Sequence, residues 1–136
     1  MLNKKRFLII DDDSFNNKIC TIVIKSIYSD TEVISFTEPE KGLEYLKQNY
    51  LNSEHDINTF ILLDINMPSM TGWEFLEEYE NFKSEIIDHI SIYILSSSVD
   101  QRDKEKSKEY SCIDFISKPL TIATLKKILE LSYHNL

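Results

Sequence analysis

Five short runs of consecutive apolar residues punctuate the chain: Arg6–Ile10, Glu32–Phe36, Thr59–Leu63, Ser91–Leu95 and Ile113–Ile116. Successive side chains on a strand point to opposite faces, so runs of this kind suit strands covered on both sides. Amphipathic stretches at helical spacing separate them. Ser14 is read as opening the first, with Phe15, Ile19, Ile22, Val23 and Ile27 along its apolar stripe. Three capping-box spacings follow: Thr37 with Glu40 ahead of Leu43, Leu46 and Tyr50; Thr71 with Glu74 ahead of Phe75, Leu76, Tyr79 and Phe82; Ser98 with Gln101. Thr121 precedes the last pattern, Ile122, Leu125, Ile128 and Leu129. Strands alternating with helices require parallel pairing and right-handed crossovers. The expected fold is therefore α/β: a three-layer, doubly wound sandwich of five parallel strands and five helices. Gly42 lies inside the second helical pattern, where a close packing contact must offset a propensity cost of about 1 kcal/mol.

The 136 residues suit one domain. No Pro/Gly/Ser-rich linker or solenoid repeat divides them, so the expected unit is a single domain over 1–136, with a core of about residues 4–132 and no second, output domain. Lys and Arg number 15 against 23 Asp and Glu, a net charge of −8, and 42% of residues are apolar. That balance argues against a disordered chain, and the negative surplus against nucleic acid or anionic lipid as a partner. No apolar run approaches the roughly 18 residues of a membrane span. The basic start, Lys4-Lys5-Arg6, leads into four apolar residues and then three aspartates, too short an apolar stretch for a signal peptide. The expected location is the cytoplasm. Cys20 and Cys112 lack metal-ligand spacing and read as buried, reduced thiols.

In open α/β sheets ligands bind beyond the carboxyl ends of the strands. Here those ends carry Asp11-Asp12-Asp13, Thr37, Asp64, Ser96 and Ser117-Lys118. Adjacent first and third strands would bring Asp11, Asp12 and Asp64 together. Crowded carboxylates raise one another's pKa unless a cation neutralises them, and an oxygen-only donor set suits Mg²⁺. Lys118 adds a fixed positive charge and Ser96 a hydroxyl. An anion among these groups would be satisfied from several sides, the electrostatic arrangement for phosphoryl transfer. One carboxylate then serves as nucleophile, and Asp64, alone at its strand end before an Asn66-Met67-Pro68 turn, is the best placed. Each piece also has a plainer reading. The aspartates before Ser14 suit helix capping, and the Ser and Lys-Pro residues suit turns. The ordered combination at four strand ends is what favours chemistry.

The stretches Phe7-Leu-Ile-Ile-Asp-Asp-Asp13, Leu62-Leu-Asp-Ile-Asn-Met-Pro-Ser-Met-Thr-Gly72, Ile94-Leu-Ser-Ser97 and Phe115-Ile-Ser-Lys-Pro119 together resemble the receiver domain of two-component response regulators, in its stand-alone form. The resemblance implies a flavodoxin-like sheet of order 2-1-3-4-5. It implies that Asp64 is the phospho-acceptor, that Asp12 is a direct Mg²⁺ ligand with Asp11 acting largely through water, and that Asn66 offers its backbone carbonyl to the metal, with Mn²⁺ as a substitute ion. Ser96 matches the switch hydroxyl, Lys118 the phosphate-pairing lysine and Phe115 the aromatic whose rotamer follows activation. The bond before Pro119 is cis in that family, which proline makes far cheaper. Asn66 and Ser98 are placed to tune water attack on the phospho-aspartate. Asp13 matches no essential position and is expected to face solvent.

The implied function is that of a signalling receiver. It would take phosphate from a sensor histidine kinase or a histidine phosphotransfer domain docking near the first helix. It would catalyse only its own phosphorylation and slow autodephosphorylation, and present a changed face to a downstream protein. The fourth-helix, fifth-strand and fifth-helix face is the family's homodimer surface. Residues 100–109 are almost wholly polar and are expected to have low local stability on that face, although a merely solvated helix face would read the same way. A phosphorelay intermediate and a phosphorylation-independent scaffold are alternatives. So is a Mg²⁺-dependent phosphohydrolase, but the position two after Asp64 is Asn66, which cannot protonate a leaving group.

Overall fold

The computed structural model describes residues 4–54, 56–97 and 100–134, with side chains through Glu130. The apolar runs become strands β1 (Lys4–Ile10), β2 (Glu32–Phe36), β3 (Ile57–Leu63), β4 (Ile90–Ser96) and β5 (Asp114–Ser117). They alternate with helices α1 (Ser14–Ile27), α2 (Pro39–Tyr50), α3 (Gly72–Phe82), α4 (Gln101–Ser107) and α5 (Ile122–His134), with a 3-10 turn at Lys83–Glu85. All pairings are parallel and the order is β2-β1-β3-β4-β5. The expected architecture and strand order are found.

The sheet is covered on both faces, which is why its central strands are apolar at consecutive positions. Leu8, Ile10, Ile61, Leu63, Ile92 and Ile94 pack beneath α2 and α3 with Leu46, Tyr50, Phe75 and Leu76. Phe7, Ile9, Phe60, Leu62, Tyr93 and Leu95 face α1 and α5, meeting Cys20, Ile24, Leu125 and Ile128. At the amino-terminal end of the sheet, Arg6 donates to Glu32 (2.6 Å) and to the Tyr50 hydroxyl (2.8 Å), which in turn pairs with Thr59 Oγ1 (2.6 Å). The polar groups at that end are thereby satisfied among β1, β2, α2 and β3.

Several helix starts and faces differ from expectation. Phe15 and Ile22 do not belong to the buried stripe of α1; each is 69% exposed. The inward positions are Asn16, Asn17, Cys20 and Ile24. Two asparagines displace the apolar phase because their amides serve Asp11, as described below. The N-cap of α1 is Asp13, whose carboxylate accepts from the Phe15 and Asn16 amides, so this residue has a structural role. The Thr37–Glu40 box does not form: Glu38 is the N-cap, without a side-chain bond, and Pro39 sets the first helical position. The Thr71–Glu74 box does form. For α4 the cap is Asp100, accepting from Asp103, while Ser98 lies outside the described residues. Thr121 Oγ1 accepts from the Thr124 amide at the start of α5, yet Ile122 is exposed. Both cysteines are free; Cys20 is buried and Cys112 half-buried.

The two glycines have different steric reasons. A Cβ on Gly42 would lie 2.9 Å from Ile10 Cδ1, the far end of a flexible side chain. A Cβ on Gly72 would lie 2.6 Å from the Asp64 carbonyl oxygen and 2.8 Å from Ile65 Cα, with only backbone to yield. Gly72→Ala is therefore expected to cost about 1–3 kcal/mol. Gly42→Ala should cost less, because gained helix propensity of about 1 kcal/mol opposes the clash. Urea unfolding of the two variants checks the order: the midpoint should fall further for Gly72→Ala, with the slope unchanged.

Candidate functional site

Register places the candidate groups side by side. Ile10 pairs with Leu63, and the Asp64 amide donates to the Ile10 carbonyl (2.9 Å), so the residues following β1 and β3 leave the sheet together. Ser96 pairs with Ser117, and its carbonyl accepts from the Lys118 amide (2.9 Å), which brings Lys118 to the same end. The Lys118–Pro119 bond is cis. Asp11, Asp12 and Asp64 each offer a carboxylate oxygen, and these oxygens lie within 4.8 Å of one another.

The acids differ in access. Asp11 is 1% exposed and Asp64 5%, while Asp12 is exposed. Lys118 Nζ sits 2.7 Å from Asp11 Oδ2 and 3.7 Å from Asp64 Oδ2. Asp11 is held further by the Asp13 amide on Oδ1 (2.9 Å) and by Asn16 Nδ2 on Oδ2 (2.8 Å). Asp64 Oδ1 accepts from the Asn66 amide (3.3 Å). Burial, then the charge of Asp11, push the Asp64 carboxyl up to about 6, against the opposing pull of Lys118 and the Asn66 amide. Burial pulls the Lys118 ammonium down, but its hydrogen bond to Asp11 and the charges of Asp11, Asp64 and Asp13 outweigh that and hold it above its ordinary value.

Three oxygen donors, two of them buried with one ammonium between them, fit a hard divalent cation that keeps part of its water shell. Asp12 and Asn66 are exposed. Ser96 is buried at the end of β4. Phe115 is half-buried on β5, its ring centroid 6.5 Å from that of Trp73. Trp73 stacks on Tyr110 at 5.7 Å, and Lys106 Nζ lies 5.3 Å from its ring centroid. Sequence reasoning overlooked this aromatic patch and the Asn16 contact. The polar pair Asn16-Asn17, at positions that face the sheet, was the signal for the latter.

A family model described as the response regulator receiver domain matches residues 7–130. The chain belongs to that family. The receiver domain is 28% identical over 129 residues to two-component response regulator ORR12 of Oryza sativa subsp. japonica, covering 95% of this chain and 98% of the relative. It is 28% identical over 126 residues to hybrid signal transduction histidine kinase L of Dictyostelium discoideum, covering 92% of this chain and 7% of the kinase. Its fold superposes on a two-component response regulator from Cytophaga hutchinsonii with a TM-score of 0.85, at 27% identity, covering 97% of this chain and 98% of the other. Membership makes the chain a two-component signal-transduction module, of a family that is generally non-enzymatic and partners with histidine kinases. No helix among the described residues is long and apolar enough to cross a membrane.

The raised Asp64 pKa has a stability consequence. The native carboxyl is protonated below about 6, the unfolded one only below about 4. Between those values the native state binds more protons, so its stability falls as pH rises, and the deficit persists above them. In metal-free solution Asp64→Asn is expected to be more stable than the parent near neutrality, by on the order of 2 kcal/mol, with the gap closing as pH is lowered to about 4. Urea unfolding across that window checks this; a gap that widens on acidification would contradict it.

Proposed function

We propose that this receiver accepts a phosphoryl group on Asp64 from the phosphohistidine of a sensor kinase or phosphotransfer domain and thereby switches a protein-binding face. The observation that carries the reading is one buried carboxylate, Asp64, clustered with Asp11 and Asp12 and lying 3.7 Å from the Lys118 ammonium. An Asp64 oxygen attacks phosphorus, the P–N bond to the donor imidazole breaks, and the imidazole departs with its electron pair. Bound Mg²⁺, with Mn²⁺ as a substitute, would neutralise developing charge; Asp11, Asp12, Asp64 and the Asn66 backbone carbonyl would hold it. Lys118 is already 3.7 Å from Asp64 and would pair with the phosphoryl oxygens as it leaves Asp11. Ser96 would donate its hydroxyl to another of those oxygens. Phosphorylation then acts as a local charge event that biases a two-state element.

The element proposed to respond runs from Ser96 through Phe115 to α4. That helix has no buried residue and its first turn is anchored by the Asp100 cap, so little apolar burial opposes its rearrangement. The same face, with β5 and α5, would serve a downstream protein or a second copy. Phe15 and Ile22, exposed on α1, suit an incoming phosphohistidine protein. Exposed Asn66 would orient hydrolytic water, with Ser98 assigned the same role, so the phospho-aspartate would decay slowly by self-hydrolysis. We read 1–136 as one receiver unit, acting in the cytoplasm, with neither nucleic acid nor membrane as a partner.

Incubation with acetyl phosphate and Mg²⁺ should label the parent and leave Asp64→Asn unlabelled. Lys118→Ala should still take label but fail to switch. Phosphate mass shift on the intact protein checks the first statement, and partner binding after phosphorylation the second. Sustained turnover of a small phosphoester would instead indicate a hydrolase. Hydrogen exchange gives an independent test of the switch: a phosphate mimic with Mg²⁺ should change amide protection in residues 100–109, and identical protection with and without it rejects the reordering of α4.

A further inference from the structure

The first turn of α1 folds back onto the residue that ends β1. Asp11 Oδ2 accepts from two side chains, Lys118 Nζ at 2.7 Å and Asn16 Nδ2 at 2.8 Å. Asn17 Nδ2 donates instead to the Asp11 backbone carbonyl (3.0 Å). Asn16 and Asn17 are buried at positions where helix–sheet packing calls for apolar residues. An asparagine there lowers helix propensity and must find partners for its amide. Asn16 also reaches the Cys20 sulfur one turn on, at 3.7 Å.

We infer that Asn16 is a positioning residue for Asp11, fixing the rotation of a carboxylate proposed to hold the divalent cation. This rests on the cation-binding half of the proposed function. The two donors on Oδ2 differ in character. Lys118 is a long, flexible ammonium that also lies near Asp64 and, in the proposed reaction, moves to the phosphoryl group. Asn16 has a short side chain fixed by the first turn of a helix whose N-cap, Asp13, is itself bonded to Asp11 through its amide. Once Lys118 departs, Asn16 is the side-chain donor that stays on Oδ2. Oδ1, held by the Asp13 amide, would then be the oxygen left to the cation. Outer partners that orient a metal-binding carboxylate typically account for 10–100-fold in metal affinity.

The test is Mg²⁺ titration of the whole chain by calorimetry, comparing Asn16→Leu, which keeps volume and removes the donor, with Asn16→Ala. Both should bind Mg²⁺ about tenfold more weakly than the parent, and their acetyl-phosphate labelling rates should return to the parent level at saturating Mg²⁺. Asn17→Ala loosens the same junction without touching the carboxylate and should leave affinity within about twofold. Unchanged affinity in the Asn16 variants, or an equal loss in Asn17→Ala, overturns the inference. Should the Asn16 variants fail to fold, the Asn16 side-chain amide of the parent decides by NMR: its protons should exchange slowly and shift on Mg²⁺ addition, and an unshifted signal at saturation overturns the inference. A parent that binds Mg²⁺ but takes no label removes the phospho-acceptor reading and leaves the Asn16 result standing. A parent that binds no Mg²⁺ removes both.

Discussion

The contact between Lys118 and Asp11 relieves the crowding of acids at this end of the sheet. Two carboxylates are almost wholly buried there, and a third lies within a few ångströms. Left alone, their repulsion and desolvation would favour neutral acids or an opened strand end. One ammonium, half-buried and 2.7 Å from Asp11, offsets much of that cost. Asp64 receives less of its charge at 3.7 Å, and burial with the charge of Asp11 pushes its carboxyl up to about 6. The two acids are thus held differently: Asp11 by the ammonium and two further donors, Asp64 by the ammonium at longer range and one backbone amide.

That arrangement is built by strand register. Ile10 opposite Leu63 and Ser96 opposite Ser117 fix which residues emerge together. A slip of one residue would turn the apolar rows of β1 and β3 between faces as well as separate the acids. The core and the site are therefore specified by the same pairing. Gly72 extends the constraint, since its missing side chain lets α3 begin against the Asp64 carbonyl.

Much of this was legible in the chain itself. Strands buried on both faces carry an unmistakable apolar density, and their observed limits differ from the expected ones by two residues at most. The acids, Ser96 and Lys118 were visible because parallel topology sends every strand's carboxyl end to one edge. Legibility failed where a tertiary demand overrode a local pattern. In α1 the apolar spacing from Phe15 to Ile22 reads as a core stripe, yet the helix turns Asn16 and Asn17 inward to meet Asp11. At α2, Pro39 fixes the helix start and the nearby Thr–Glu spacing goes unused. The patch of Trp73, Tyr110 and Phe115 joins residues far apart in sequence, and no periodicity within a single element encodes it.

The aromatic patch gives α4 a specific kind of weakness. A helix with no buried side chain is held by its neighbours, here through Lys106 over Trp73 and through the following turn. In that turn Tyr110 stacks on Trp73, while Ser111 bonds Glu80 by its amide and Lys83 by its hydroxyl. The carboxyl end of α4 is thus tied to α3, and its amino end carries the Asp100 cap. Trp73 is the residue after Gly72, whose amide bonds the Ile65 carbonyl beside Asp64. Phe115, on the strand next to that of Ser96, also approaches this ring, at 6.5 Å between centroids. The turn beside Asp64 is thus joined through Gly72 to Trp73, the indole on which Tyr110, Lys106 and Phe115 converge. That indole is half-buried and stacked rather than enclosed, so α4 is held against α3 by contacts at the surface of the core rather than within it.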